Sequence, residues 1–383
     1  MGTITQAIAN NLTTGLGGAG GVNFRNIIIN GDMSIAQRGT SATGIGNEDT
    51  GYHTLDRWKF FEADSPSYEF TMSQSTDVPT GQGFATSLKM DCTTAEATLA
   101  AADLSFLEHY IEGQNVQYLK KGTANAEYVT ASFWVKSTKT GTFIVELIDL
   151  DNSRFTNFNY TVDVSDTWEK KTVSFVPDTT GTLDNNNAAS LCFRFGLLAG
   201  TTFSSGSPSP TTWLANSGNN SKRAANQVNI ADNTANNFLI TGIQLEAGTS
   251  ASDFEFLPVD VNLARCQRYY QIIADRTSTG DRMAITCGAA IVTGSGASVV
   301  YAAIQFPTPM RASATMLSTT VTNGYRLLGD TEPKFNVMSA SPITNRGARL
   351  SNGGTLSSTV TSGKSYLLEC ELNGSNLMFS SEL

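Results

Sequence analysis

The chain is 383 residues long, 40% hydrophobic and 15% charged, with 34 Gly and 10 Pro; at about 150 residues per domain this predicts two to three domains, each able to bury a core. Lys and Arg number 25 against 34 Asp and Glu, a net charge of −9, which argues against a broad phosphate-binding surface and so against nucleic acid as a partner. The charged fraction is well below the roughly 25% of average soluble domains, and Thr, Ser, Asn and Gly fill the gap, a composition suited to strands and turns rather than long solvated helices.

Residues 1–22 stand apart. Ile4 to Leu12 predict a short helix with Ile4, Ile8 and Leu12 as its apolar contacts, and Gly15 to Gly21 end it in a flexible hinge, the build of an attachment peptide. Gly15, Gly17 and Gly20 satisfy GxGxxG, but no strand precedes them and no helix follows, so the dinucleotide reading fails. The first basic residue is Arg25, which leaves no charged start for an export signal. No apolar run reaches the roughly 18 residues of a membrane helix, so no membrane insertion is expected. Gln6 stands where a myristoylation pattern after Gly2 needs Ser or Thr.

From 23 to 257 the dominant signal is alternation with period two. In Glu127 to Val135, Val129, Ala131, Phe133 and Val135 share one face, while Tyr128, Thr130, Ser132 and Trp134 share the other. Thr142 to Leu150 is apolar on both faces except at Glu146 and Asp149, which predicts a central strand. Alternation returns in Trp168 to Val176, with Val173 and Phe175 inward, in Ser190 to Leu197 and in Asn237 to Leu245. This spacing predicts an all-β fold, an antiparallel jelly-roll β-sandwich. Phe203 to Val228, rich in Ser, Asn and Pro and nearly free of aliphatics, reads as a long excursion with Trp213 in its middle.

Pro258 to Ile273 predicts a short helical joint capped by Asp260, with Leu263, Cys266 and Tyr270 on one face. Residues 274–383 read as a second, smaller β domain with strands at Ala284 to Val292, Ala297 to Phe306, Thr315 to Thr322, Thr355 to Val360 and Ser365 to Leu372. Pro307 and Pro309 mark an edge or corner. The domain reading is therefore 1–22 as anchor and hinge, 23–257 as jelly roll, 258–273 as joint and 274–383 as C-terminal β domain.

Several phrases together resemble the tail-fibre and virion appendage proteins of tailed bacteriophages: Asn26 to Gly39 (NIIINGDMSIAQRG), Gly51 to Trp58 (GYHTLDRW), Gly242 to Gly248 (GIQLEAG), the RCQRYY run ending at Tyr270, and Phe306 to Ala312 (FPTPMRA). Thr167 to Thr182 is similar to the carbohydrate-binding-module jelly roll. The resemblance covers about residues 24–310 and the terminal Glu382-Leu383. It implies a non-enzymatic structural component of a virion, made in the host cytoplasm, a homotrimer that docks to other virion proteins through residues 1–22 and projects β domains outward. Host lipopolysaccharide or another surface glycan is the expected outside partner. Two alternatives stand beside this reading: a capsid or tail decoration or assembly protein without receptor contact, and a glycan-degrading depolymerase.

The chemistry-bearing residues are few. Two histidines, His53 and His109, leave no material for a zinc site or a triad, and although His53 neighbours Asp56, no GxSxG elbow supplies a nucleophile. A depolymerase needs two carboxylates across a sugar bond, and 34 acidic residues do not single out a pair. Asp149, Asp151 and Ser153 resemble the opening of a calcium loop, but Arg154 stands at the turn-glycine position, so a hairpin turn is the simpler reading. The five cysteines, Cys92, Cys192, Cys266, Cys287 and Cys370, form no CxxC or metal spacing and read as buried free thiols. No cofactor and no metal is expected. Sugar rings stack on exposed indoles, so Trp213 in its polar excursion is the glycan-binding candidate, while Trp58, Trp134 and Trp168 fall in strand patterns and are assigned to core packing.

Overall fold

The computed structural model describes residues 25–64, 66–275, 283–292, 298–372 and 374–383. The expected anchor residues Ile4, Ile8 and Leu12 and the glycine hinge lie outside the described residues. Two compact units divide the chain, one ending at Asn262 and taking in Leu383, the other running Leu263–Glu382.

The first unit holds β1 (Ser41–Ile45), β2 (Lys59–Ala63), β3 (Glu69–Ser75), β4 (Ser87–Thr94), β5 (Leu104–Glu112), β6 (Val129–Ser137), β7 (Gly141–Asp149), β8 (Arg154–Val162), β9 (Glu169–Phe175), β10 (Ala189–Ala199), β11 (Leu214–Ala215) and β12 (Asn237–Ala247). They form two six-stranded sheets, in the orders β1-β3-β4-β12-β6-β9 and β11-β8-β7-β10-β5-β2, which is the jelly-roll sandwich the alternation predicts. Strand β7 lies between β8 and β10, so its apolar character on both faces is the mark of an interior strand. Val129, Ala131, Phe133 and Val135 of β6 are buried between the sheets. There Phe133 meets Phe195 of β10 edge-on, ring centroids 4.9 Å apart, and Tyr160 of β8 at 5.1 Å. Edge-to-face aromatic pairs add to the area each ring removes from water.

Three phrases that carry the resemblance meet at one seam. Asn26 donates from Nδ2 to Ile243 O at 3.0 Å, and its Oδ1 accepts from the amides of Ile28 and Leu245, both at 3.0 Å. Asn30 sits at φ 60 and clamps the turn that follows, donating to Ile35 O and Asp56 O, while the Trp58 indole donates to Asn30 O at 3.1 Å. A Cβ on Gly31 would overlap the Ile243 carbonyl, so the backbones approach closely only with glycine there. Trp58 is fully buried, as the strand pattern predicts.

The excursion is not a free loop. Helix α1 (Thr201–Ser204) leads into it, it contains β11, which pairs with β8, and it lies over the outer face of the β5–β8–β10 sheet. Beneath it Glu146 of β7, fully buried, binds the guanidinium groups of Arg194 and Arg223, and Arg194 also meets Glu108 at 3.2 Å. The two guanidiniums stack on Phe106 and Phe155 at 3.7 and 4.7 Å. Residues Asp149 to Arg154 form the β7–β8 hairpin turn, with Ser153 at φ 51. Its Asp149 carboxylate is engaged by Lys121 and Asn152.

Helix α2 (Val259–Gln267) straddles the division between the units. The predicted helix to Ile273 is too long: Tyr270 to Asp275 form β13, because the β-branched pair Ile272-Ile273 finds a partner strand at 376–380. Asp260 lies in the first turn rather than before it, where its charge still favours the helix start.

The second unit continues with β14 (Met283–Val292), β15 (Ser298–Gln305), β16 (Thr315–Ser318), β17 (Tyr325–Leu328), β18 (Lys334–Phe335), β19 (Met338–Ile343), β20 (Gly347–Asn352), β21 (Ser365–Cys370) and β22 (Asn376–Ser380), in sheets ordered β13-β22-β16 and β18-β17-β21-β14-β15-β20-β19. Thr355 to Val360 is not a strand. Polar except for Leu356 and Val360, the segment is tied down by single bonds such as Ser357 N to Lys334 O at 2.9 Å. Cys92, Cys192, Cys266 and Cys370 are buried thiols, and burial pushes Cys92 up to about 11, far from thiolate reactivity.

Candidate functional site

The residues facing away from the core on β6, β9 and β12 build a cleft. Alternation that buries Phe133 and Val135 turns Ser132 and Trp134 outward, and the β6–β9 register sets Lys170 directly opposite Trp134. On the other side of β6, the ladder with β12 shifts register between Thr241 and Gln244, a bulge in which Gly242 takes φ 61. A left-handed glycine at such a bulge bends the strand and leaves space above it. Phe84 fills that space: its ring lies 2.5 Å from where a Gly242 Cβ would be.

Two segments outside the sheet wall the cleft. One contains Gly81, Gln82 and Phe84, the other Asp253, Phe254 and Phe256, and together with Ser132, Trp134, Lys170 and Gly242 they enclose about 200 Å3. Phe84, Phe254 and Phe256 form a triangle of rings, with centroids 5.1, 5.1 and 4.8 Å apart. The second wall is laced to β12 through two buried side chains. Gln244 Nε2 donates to Ser252 Oγ at 2.9 Å and to Asp253 O at 3.2 Å, and its Oε1 accepts from Glu255 N at 2.8 Å. Glu246 accepts from the Ser252 amide at 2.8 Å.

Beyond Trp134 the face continues to Trp168, half-buried, whose indole N–H donates to Asp77 Oδ1 at 2.9 Å. Burial alone would raise the Asp77 carboxyl, but bonds from Lys136 and Trp168 outweigh it and hold the group below the usual carboxylate value. The cleft combines an indole and three phenyl rings with amide, hydroxyl, ammonium and carboxylate groups. That combination can hold a ring with apolar faces and a hydroxylated rim.

Trp213 is corrected as a sugar platform. It is 8% exposed, its Nε1 donates to Val176 O at 2.8 Å, and the Lys121 ammonium lies 5.1 Å from its ring. A large apolar side chain in a polar excursion is the group that fastens the excursion to the sandwich, and Trp213 does so. Trp134 and Trp168 are corrected in the opposite sense, since neither is in the core between the sheets. For Trp134 the signal is present in the sequence: it shares a strand face with the polar Thr130 and Ser132, not with Val129 and Phe133. Nothing in the sequence joins Phe84 to Phe254 and Phe256, about 170 residues further on. His53 and Asp56 do not pair; His53 bonds Asp49 O at 3.0 Å, and Asp56 accepts from the Gln37 amide at 2.9 Å. Among the described residues no cluster of three His, Cys, Asp or Glu is arranged to hold a metal, and no helix is long and apolar enough to cross a membrane.

No family model and no curated protein matches the chain. Solved structures resemble part of it. The enzymatically active domain of tailspike protein 4 of bacteriophage CBA120 is 13% identical at a TM-score of 0.31, over 58% of this chain and 22% of that one. A family 11 carbohydrate-binding module from Clostridium thermocellum, solved with a β-1,3-1,4-mixed-linked tetrasaccharide, is 9% identical at 0.27, over 55% and 98%. The CBM22-1 xylan-binding domain of Paenibacillus barcinonensis Xyn10C is 12% identical at 0.26, over 55% and 94%.

Proposed function

We propose that the protein is a non-enzymatic virion component, a tail-fibre-type appendage of a tailed bacteriophage that contacts host-surface glycan through the cleft beside Trp134. The observation that carries the reading is the half-buried Trp134 indole facing an aromatic wall, with Gln82, Ser132, Lys170 and Asp253 around it. Pyranose rings offer apolar C–H faces to such an indole, and their hydroxyls match the polar groups at its rim. The resemblance of residues 24–310 to phage appendage proteins supports the virion role. A homotrimer docked through residues 1–22 would present three shallow sites at once, so that weak single contacts sum to firm attachment.

The test is an adsorption competition with the purified full chain, its oligomeric state checked by light scattering. Blocking of phage attachment without release of reducing sugar ends, and loss of blocking in Trp134→Ala, is the expected result. Sugar release would make the protein a depolymerase. No blocking and no cell binding would leave an assembly role without receptor contact.

A further inference from the structure

Resting on the reading of the cleft as a glycan site, we infer that the sugar it takes is acidic, with its carboxylate held by Lys170 between Trp134 and Trp168. Lys170 stands opposite Trp134 in the β6–β9 register, and Trp168, the residue just before β9, precedes Lys170 by two, the spacing of side chains that share a side. Asp77 fixes Trp168 on that side, because its carboxylate also accepts from Lys136, at 2.7 Å, and Lys136 follows Trp134 on the outer face of β6. Directly opposed side chains on an antiparallel pair are about 5 Å apart at Cβ and diagonal neighbours about 7–8 Å, so the two indoles flank the ammonium within the span of one or two sugar rings.

Charge separates Lys170 from its neighbours. Lys136 is held by Asp77 and Asp166, Lys171 by Glu169 and Asp163, and Lys89 by Asp91. Lys170 pairs with no carboxylate among the described residues, in a chain whose net charge is −9. The acidic excess thus neutralises the other lysines of this sheet and leaves the one that lines the cleft available for a charge-assisted bond. Asp253, on the facing wall, is an acceptor for ring hydroxyls and repels a carboxylate, which directs the acid group of the sugar toward Lys170. A neutral ring would gain the stacking but leave the ammonium in water.

Calorimetric titration of the full chain with three oligosaccharides of similar length tests this: an oligogalacturonate, a neutral xylo-oligosaccharide and a chitosan oligosaccharide. The acidic probe is expected to bind at least about tenfold more tightly than the neutral one, a difference of about 1.4 kcal/mol, and to weaken with added salt. Lys170→Met, an exposed change that leaves the core untouched, is expected to bring the acidic probe down to the affinity of the neutral one, while Trp134→Ala weakens both. Equal binding of acidic and neutral probes with a silent Lys170→Met, or a preference for chitosan that Asp253→Asn removes, would overturn the inference and leave the glycan site standing. Failure of all three probes and of host envelope polysaccharide to bind would overturn both.

Discussion

The ring of Phe84 comes within 2.5 Å of the position that a Cβ on Gly242 would take, in a strand where Gly242 already sits at φ 61. The bulge and the aromatic wall are therefore one feature. Gly242→Ala is expected to cost about 1–3 kcal/mol in denaturant unfolding, from backbone strain plus displacement of Phe84. It should also weaken any ligand of the cleft, because the rings of Phe254 and Phe256 rest on Phe84. An alanine variant with unchanged stability would mean that the bulge relaxes without loss.

Gln244 is the bracket for the second wall. Gln244→Leu removes the bonds to Glu246, Ser252, Asp253 and Glu255 and takes a donor from the buried Glu246 carboxylate, at a cost of about 1–3 kcal/mol. Amide hydrogen exchange is expected to speed up at residues 252–256 before it does in β6 or β12. Uniform acceleration across the sheet would show instead that Gln244 supports the whole sandwich.

Beneath the excursion, Glu146 joins two guanidiniums away from water. Glu146→Ala takes the carboxylate from Arg223 and leaves Arg194 with Glu108 alone, and is expected to destabilise the sandwich by about 3–5 kcal/mol. Arg223→Ala, at the rim of the same cluster, is expected to act more locally, opening residues 201–228 to proteolysis while global unfolding shifts less. Equal effects of the two variants would argue that the excursion and the sheet unfold as one.

Two carboxyls give opposite pH signatures. Burial would raise the Asp178 carboxyl, but Arg154 at 2.7 Å, the Thr180 amide and Lys121 outweigh it and hold its value down. Its stabilising contribution is therefore full above the unfolded value, about 3.9, and is lost as pH falls through the lower native value. Glu62 is raised by burial, only partly offset by the Asp49 and Glu48 amides. Its ionised form thus costs stability at neutral pH, recovered as pH falls through the raised native value. Unfolding free energies measured from pH 3 to 7 should show Asp178→Asn least stable relative to the parent at neutral pH, by about 3 kcal/mol. Glu62→Gln should be more stable than the parent there. A pH-independent difference in either variant would contradict its assignment.

Strand identity was legible where alternation was clean. Val129 to Val135, Val173 with Phe175, and the run ending at Leu245 announce their inward faces because a half-buried sheet must alternate. The short strands of the second unit, such as Tyr325–Leu328 and Asn376–Ser380, were not legible, since four or five residues give too few alternations to register. Tyr270 to Ile273 read as helix from the sequence because three- and four-residue spacing persists into a segment whose pairing partner lies about a hundred residues away.

From residue order alone came the all-β class, the sandwich, the long excursion and the buried thiols, all consequences of local periodicity and composition. The cleft is a product of tertiary structure. Phe84, Trp134 and the segment from Gly242 to Phe256 are far apart in sequence, and only the β6–β12 pairing, the bulge and the Gln244 bracket bring them together. The same holds for Trp213, which is buried, and Trp134, which lines the cleft, each against expectation. A local pattern reports which face a side chain takes, but what covers that face depends on contacts with distant parts of the chain.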